Sequence, residues 1–257
     1  MSKLIEGFSN GDSVLKIAFN DGKGNVIDYE MMEELQSVLD AQRGNNHLKL
    51  IIFEGEGKHF SFGASVEEHR KEFADAMIKN FHKLFYTLRD LSIPTMARIS
   101  GQCLGGGLEV ALMCDFIFAD NTAKLGQPEI VLGVFPPPAS LLLPLKIGYA
   151  KAEELLITGR TFDAQEGKQM GLINNVFENK EELERETDLW ITKHILPKSA
   201  SSLRYSVKAA RVKFNHILTN FLPQLEHLYL NQLMQTKDAN EGINSFLEKR
   251  KPEWADC

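Results

Sequence analysis

The stretch GQCLGGGLEVALMCDFIFADNTAKLGQPEIVLGVFPPP, residues 101–138, decides how the rest of the chain is read. It holds three successive glycines, Gly105, Gly106 and Gly107, which let a turn bring its backbone N–H groups close to a ligand. A helical, strongly apolar run follows, and between Cys103 and Cys114 its only charged residue is Glu109. An ionised carboxylate in such a run is costly unless it is paired, neutralised or put to use. A second carboxylate, Glu129, stands directly after Pro128 between two apolar segments. Each feature alone has an ordinary explanation. Glycines make tight turns, the helix dipole favours an acid in the first turns, and Pro-Glu opens many helices. Together, two placed acids beside a glycine turn point to proton transfer next to an anion-stabilising backbone.

Outward from this stretch, the pattern alternates. TMARIS at 95–100 reads as a strand feeding the glycine turn, and DFIFAD at 115–120 as the next strand. Upstream, SVLKIAF at 13–19 is a strand, followed by a helix near Asp28 to Gln42 capped by Asp28 and striped by Met31, Met32, Leu35 and Leu39. LKLIIF at 48–53 is a buried strand by its continuous apolar character. A glycine-broken loop, EGEGKHFSFGA, leads to a helix around Asp75–Leu91. Strands alternating with helices predict parallel pairing and right-handed crossovers, hence an α/β fold.

After about residue 137 the pattern turns helical, with helices expected at Ala150–Thr158, Ala164–Met170, Glu181–Ile195, Ala200–Phe214, Leu218–Gln235 and Ala239–Lys249. Only LINNVF at 172–177 looks like a strand there. The helix from Leu218 carries Phe221, Leu222, Leu225, Leu228, Leu230 and Leu233 despite an internal Pro223. So much apolar surface near a chain end predicts packing against another subunit as well as the chain's own core. The expected division is a core over residues 1–195 and a helical oligomerisation region over 196–257.

Composition narrows the function classes. A chain of 257 residues with 43% hydrophobic and 25% charged residues has ample material for a core. A net charge of −6 without a basic stripe argues against nucleic acid as a partner. No apolar run reaches the length of a membrane span, and MSKLIEGFSN lacks the apolar core of a signal peptide. Cys103, Cys114 and Cys257 are odd in number and lack metal-ligand spacing, which predicts free thiols and a cytoplasmic protein. GFSNG at 7–11 fits a nucleophile-elbow pattern but precedes the first expected strand, where such an elbow does not lie. The seven histidines include no H-E-x-x-H, and His69 reads as a surface residue. No metal and no separate cofactor are expected.

The motifs FSFGAS at 60–65, GQCLGGGLEVALMCD at 101–115, LGQPEIVLGVFP at 125–136, ITGRTFDAQEGKQMGLINNV at 157–176 and EGINSFLEKRKPEW at 241–254 occur in one order along the chain. In these the sequence resembles the enoyl-CoA hydratase/isomerase (crotonase) family over nearly its whole length. The resemblance implies a spiral of ββα turns with a helical C-terminal trimerisation region, assembled as a homotrimer or as a homohexamer, a dimer of trimers. It implies that the amides of Ala64 and Gly106 form an oxyanion hole and that Glu109 and Glu129 are the catalytic acids. It also implies that Lys249 contacts coenzyme A phosphate, commonly from a neighbouring subunit, with Phe246 nearby. Coenzyme A enters as part of the substrate.

Retention of both glutamates favours addition or elimination of water over isomerisation. Two segments depart from the common pattern. Ser65 follows Gly63-Ala64 where the family usually has aspartate, and Pro137, Pro138 and Ala139 replace a small, glycine-rich wall of the acyl pocket. FSFGASVEEH and GVFPPPAS look like the corresponding segments of cyclohexa-1,5-diene-1-carbonyl-CoA hydratases, which points to 1,4-addition of water to a cyclic dienoyl thioester in anaerobic aromatic degradation. The product would be 6-hydroxycyclohex-1-ene-1-carbonyl-CoA. A general 2-enoyl-CoA hydratase, an enoyl-CoA isomerase, and a non-catalytic thioester-binding or RNA-binding protein of this fold are the alternatives.

Overall fold

A sheet covered on both faces has no polar side to show, so its strands read as unbroken apolar runs. The runs quoted above build such a sheet in the computed structural model, which describes residues 2–257. The chain opens with β1 (Leu4–Ser9) and β2 (Val14–Phe19), followed by a short β3 (Val26–Ile27) and helix α1 (Tyr29–Asp40). The order of long strand, short strand and helix then recurs. β4 (Leu50–Gly55), β5 (Gly63–Ala64) and α2 (Ala74–Leu91) make the second turn, and β6 (Thr95–Ile99), β7 (Gln102–Leu104) and α3 (Gly106–Met113) the third. β8 (Phe116–Asp120), β9 (Lys124–Gly126) and α4 (Pro137–Ile147) make the fourth. Next come α5 (Tyr149–Thr158), β10 (Thr161–Asp163), α6 (Ala164–Gln169), β11 (Asn175–Phe177) and α7 (Lys180–His194). The helical end is α8 (Ala200–Ala210), α9 (Val212–Asn231) and α10 (Lys237–Leu247).

The long strands form one six-stranded sheet in the order β1-β2-β4-β6-β8-β11. β1 runs antiparallel to β2, and the other neighbours are parallel. The short strands make a second wall in two pieces, β10-β9-β7 and β3-β5, joined by a bridge between Ser61 and Cys103. Side chains alternate across the main sheet. Leu15, Ile17, Phe19, Ile51, Phe53, Ala97, Ile99, Ile117 and Ala119 enter the large core that includes residues of α1 to α4. Val14, Leu50, Ile52, Met96 and Phe118 enter a smaller one with Leu183 and Ile191 of α7, where Trp190 lies edge-on to Phe116 and Phe118. Each such large side chain contributes about 1.5–3 kcal/mol by leaving water.

Asp28 caps α1 by accepting the Met31 N–H at 3.0 Å, as its position before the apolar stripe predicts. Other expectations need correction. The first strand is β1, so GFSNG lies in the β1–β2 hairpin and still offers no strand-to-helix turn. The short strands β3, β5, β7, β9 and β10 are absent from the pattern read above, because two or three residues cannot display a period of two. Pro137 and Pro138 open helix α4 rather than ending structure, since proline suits the first turn where no intrahelical N–H is needed. The expected Ala200 helix stops at Ala210, and α9 begins at Val212, earlier than Leu218. Cys103 and Cys114 are buried free thiols and Cys257 is an exposed one. No helix among the described residues is long and apolar enough to cross a membrane.

Candidate active site

The second wall of short strands brings the glycine turn and both acids to one cavity of about 330 Å³. Gly105 has φ 50° and ψ −127°, a conformation residues with a Cβ rarely adopt. A Cβ there would also lie 2.8 Å from Glu129 Oε1, so glycine is what lets that carboxyl lie against the turn. The Gly105 N–H donates to Gly126 O of β9 at 3.0 Å, which places Gly106 at the first position of α3. Its N–H has no intrahelical partner and carries the positive end of the helix dipole.

Ala64, in β5, reaches the same cavity. The Ser65 N–H donates to Ile27 O at 3.1 Å. Successive N–H groups of an extended strand point to opposite edges, so that of Ala64 faces away from β3. The Ala64 nitrogen lies 3.1 Å from where a Cβ on Gly106 would sit. Two backbone donors therefore converge on one wall.

Glu109, 4% exposed, projects from α3, and Oε1 accepts the Ala139 N–H of α4 at 2.9 Å. Burial pushes its carboxyl up to about 8, although the Ala139 N–H favours the anion. Glu129 is the second residue of a short 3₁₀ helix, Pro128–Leu132, that ends at Gly133 in the left-handed region. Burial first, and the charge of Glu109 second, raise its carboxyl well above the usual range. Two carboxyls related in this way titrate as a pair, and the charge of one disfavours ionisation of the other. Gln127, itself buried, lies 2.9 and 3.1 Å from the two Glu129 oxygens and donates to both when its amide nitrogen faces them. The arrangement keeps two groups able to carry a proton together in an apolar enclosure.

The cavity collects most of the residues singled out in the sequence: Ala64, Gly106, Glu109, Glu129, Pro137 and Pro138 line it, with Phe246, 55% exposed, also on its wall. Ala139 is not on the wall; it acts through its amide on Glu109. Lys249 is exposed just past α10 and stays off the cavity. His69 is no surface residue. It lines the cavity, its Nδ1 lies 2.7 Å from Ser65 O, and burial lowers its pKa.

Sequence reasoning missed three other polar groups. Gln127 is one. His82 of α2 lines the cavity with Nδ1 2.5 Å from Glu226 Oε1, and burial lowers its pKa more than Glu226 raises it. Tyr229 of α9 lines it too. The available signal was spacing: Leu218, Leu222 and Tyr229 are the buried residues of α9 and fall on one helical face.

A family model described as Enoyl-CoA hydratase/isomerase matches residues 9–257. The cyclohexa-1,5-dienecarbonyl-CoA hydratase of Thauera aromatica is 42% identical over 242 residues, 94% of this chain and 93% of that protein. A probable enoyl-CoA hydratase of Mycobacterium bovis is 36% identical, over 90% of this chain and 89% of its own. Among solved structures, an enoyl-CoA hydratase from Mycobacterium avium subsp. paratuberculosis superposes with a TM-score of 0.86 over 99% of both chains at 23% identity, a likeness of fold. With the family model spanning all but the first residues and relatives of this identity along the same length, the chain belongs to the enoyl-CoA hydratase/isomerase family.

Proposed function

We propose that the chain is a hydro-lyase that adds water to, or eliminates it from, a conjugated acyl-CoA thioester, with cyclohexa-1,5-diene-1-carbonyl-CoA as its substrate. The observation that carries the reading is the meeting of Glu109 and Glu129 in one apolar cavity with the Ala64 and Gly106 amides on its wall. As water adds, negative charge develops on the thioester oxygen, and two fixed N–H donors stabilise it; losing one such donor typically costs on the order of 10²–10³ in rate. The ionised member of the carboxyl pair takes a proton from water, and its protonated partner delivers one to carbon. The count balances: one C–O and one C–H bond form, and one O–H bond of water and one carbon–carbon π bond are lost.

For the cyclic dienoyl thioester, the hydroxyl enters the doubly bonded ring carbon beside the carbon that bears the thioester. The proton goes to the opposite corner of the ring, and the remaining double bond shifts between them. The stated hydroxycyclohexenoyl product follows. Acid and base must then address opposite corners of one ring, and the stiff wall of Pro137 and Pro138 supports a ring over a straight chain. The 42% identical Thauera aromatica relative supports the same choice.

The assembly is proposed to be a trimer or dimer of trimers in the cytoplasm. Phe221 and Leu228 of α9 are 43% and 38% exposed, an apolar outer face of the kind subunits cover. Lys249 would then serve coenzyme A bound to an adjoining subunit. The test is an absorbance assay of purified enzyme with the cyclic dienoyl thioester and with crotonyl-CoA. Faster turnover of the cyclic compound is expected, and much faster turnover of crotonyl-CoA would overturn the substrate assignment.

A further inference from the structure

The cavity wall carries few polar side chains, and they are not equally provided for. Glu109 has the Ala139 amide, Glu129 has Gln127, His69 has the Ser65 carbonyl and His82 has Glu226. The hydroxyl of Tyr229 has no hydrogen-bond partner among the described residues, although the residue is 1% exposed. A buried donor without a partner is costly, and native proteins rarely keep one without a use.

The ring is also held in place. Phe135 meets it edge-on, with centroids 5.4 Å apart and planes at 71°. Leu218 and Leu222 anchor the preceding turns of α9 in the same core. Burial and the charges of Glu129 and Glu109 raise the phenol above its ordinary range, so the group remains an O–H donor at any working pH. Both carboxylates are close enough to weigh on it, yet neither is within hydrogen-bond reach. A fixed donor near two acids, with no acceptor of its own, lacks only what the ligand brings.

We propose that Tyr229 is a third catalytic side chain, donating its O–H to the oxygen that water delivers: the attacking water in hydration and the hydroxyl of the product in dehydration. The inference rests on the hydratase reading above. It makes Tyr229 a determinant of specificity as well, because a site built to hydrogen-bond a hydroxyl discriminates against an analogue that lacks it.

The experiment compares the wild-type enzyme with Tyr229→Phe, which keeps the ring and removes only the hydroxyl. Three quantities are read: kcat/KM for dehydration of the hydroxycyclohexenoyl thioester, the Kd of saturated cyclohexanecarbonyl-CoA by calorimetry, and the melting temperature of the ligand-free protein. The expected result is a fall of about tenfold in kcat/KM, the size of one buried hydrogen bond. The Kd should stay within twofold, and the melting temperature should hold or rise. A kcat/KM within twofold of wild type, or an equal loss in Kd and kcat/KM, overturns the proposal. The wild-type arm separates the two readings. If wild type dehydrates the thioester and the variant does so equally well, Tyr229 alone has been misassigned. If wild type turns over neither this thioester nor crotonyl-CoA, the hydratase reading falls and the role of Tyr229 falls with it.

Discussion

The two walls of strands in this molecule are built on opposite principles. The six-stranded sheet buries Phe19, Ile51, Phe53 and their neighbours, and it pairs the charges its central strands bury, Glu54 with Lys16 at 3.1 Å and Arg98 with Asp188. The second wall, of strands two or three residues long, borders two raised carboxyls, an orphan tyrosine hydroxyl and a glycine at positive φ. The first wall lowers free energy by leaving water; the second holds groups that would be more stable elsewhere. A stable scaffold is what allows a costly site to persist. Substitutions in the two walls should therefore move different quantities.

The largest effect is expected on turnover. Glu109→Gln and Glu129→Gln, measured singly in the enoyl thioester assay, should each lower kcat by roughly 10²–10⁴, the usual contribution of a positioned acid or base. Both variants should remain folded by circular dichroism. Near-normal rates in both would remove the carboxyl pair from the mechanism. The complementary change lies in the sheet. Phe53→Ala deletes a fully buried ring stacked 6.3 Å from Phe19 and should lower stability by about 3–5 kcal/mol in urea unfolding. Whatever protein remains folded should keep its kcat within a few-fold. A Phe53 variant as stable as wild type, or folded yet inactive, would erase the distinction between the walls.

The same contrast explains what the sequence discloses. The strands of the main sheet are legible because burial on both faces writes continuous apolar runs such as LIIF at 50–53 and FIFAD at 116–120. The short strands leave no such trace; their presence in FSFGA and GQCL is set by neighbours distant in sequence. α4 was hidden because Pro136, Pro137 and Pro138 look like an interruption, whereas two of them form a first helical turn. The acids Glu109 and Glu129 stood out since charge is conspicuous among apolar residues. His69 and Tyr229 did not: a histidine after two glutamates resembles surface, and a tyrosine among leucines resembles core. Polarity betrays a site only where its surroundings make it anomalous.

The smallest predicted effect tests whether the site wall bears a cost at all. The Glu109 carboxyl titrates near 4.5 in an unfolded chain and is raised to about 8 in the fold. Its folded value lies above its unfolded one, so the native state binds the extra proton throughout that window. Stability is then greatest with Glu109 protonated and declines as pH rises from about 4.5 through about 8. Glu109→Gln removes the titration while its amide oxygen still accepts from Ala139. The variant should be little changed from wild type at pH 5 and more stable than it at pH 8, by about 1–2 kcal/mol. That figure is less than the full shift implies, because the two carboxyls titrate together. Urea unfolding of both proteins at the two pH values measures the difference. A gap that stays constant or narrows from pH 5 to pH 8 would mean that burial does not hold Glu109 neutral.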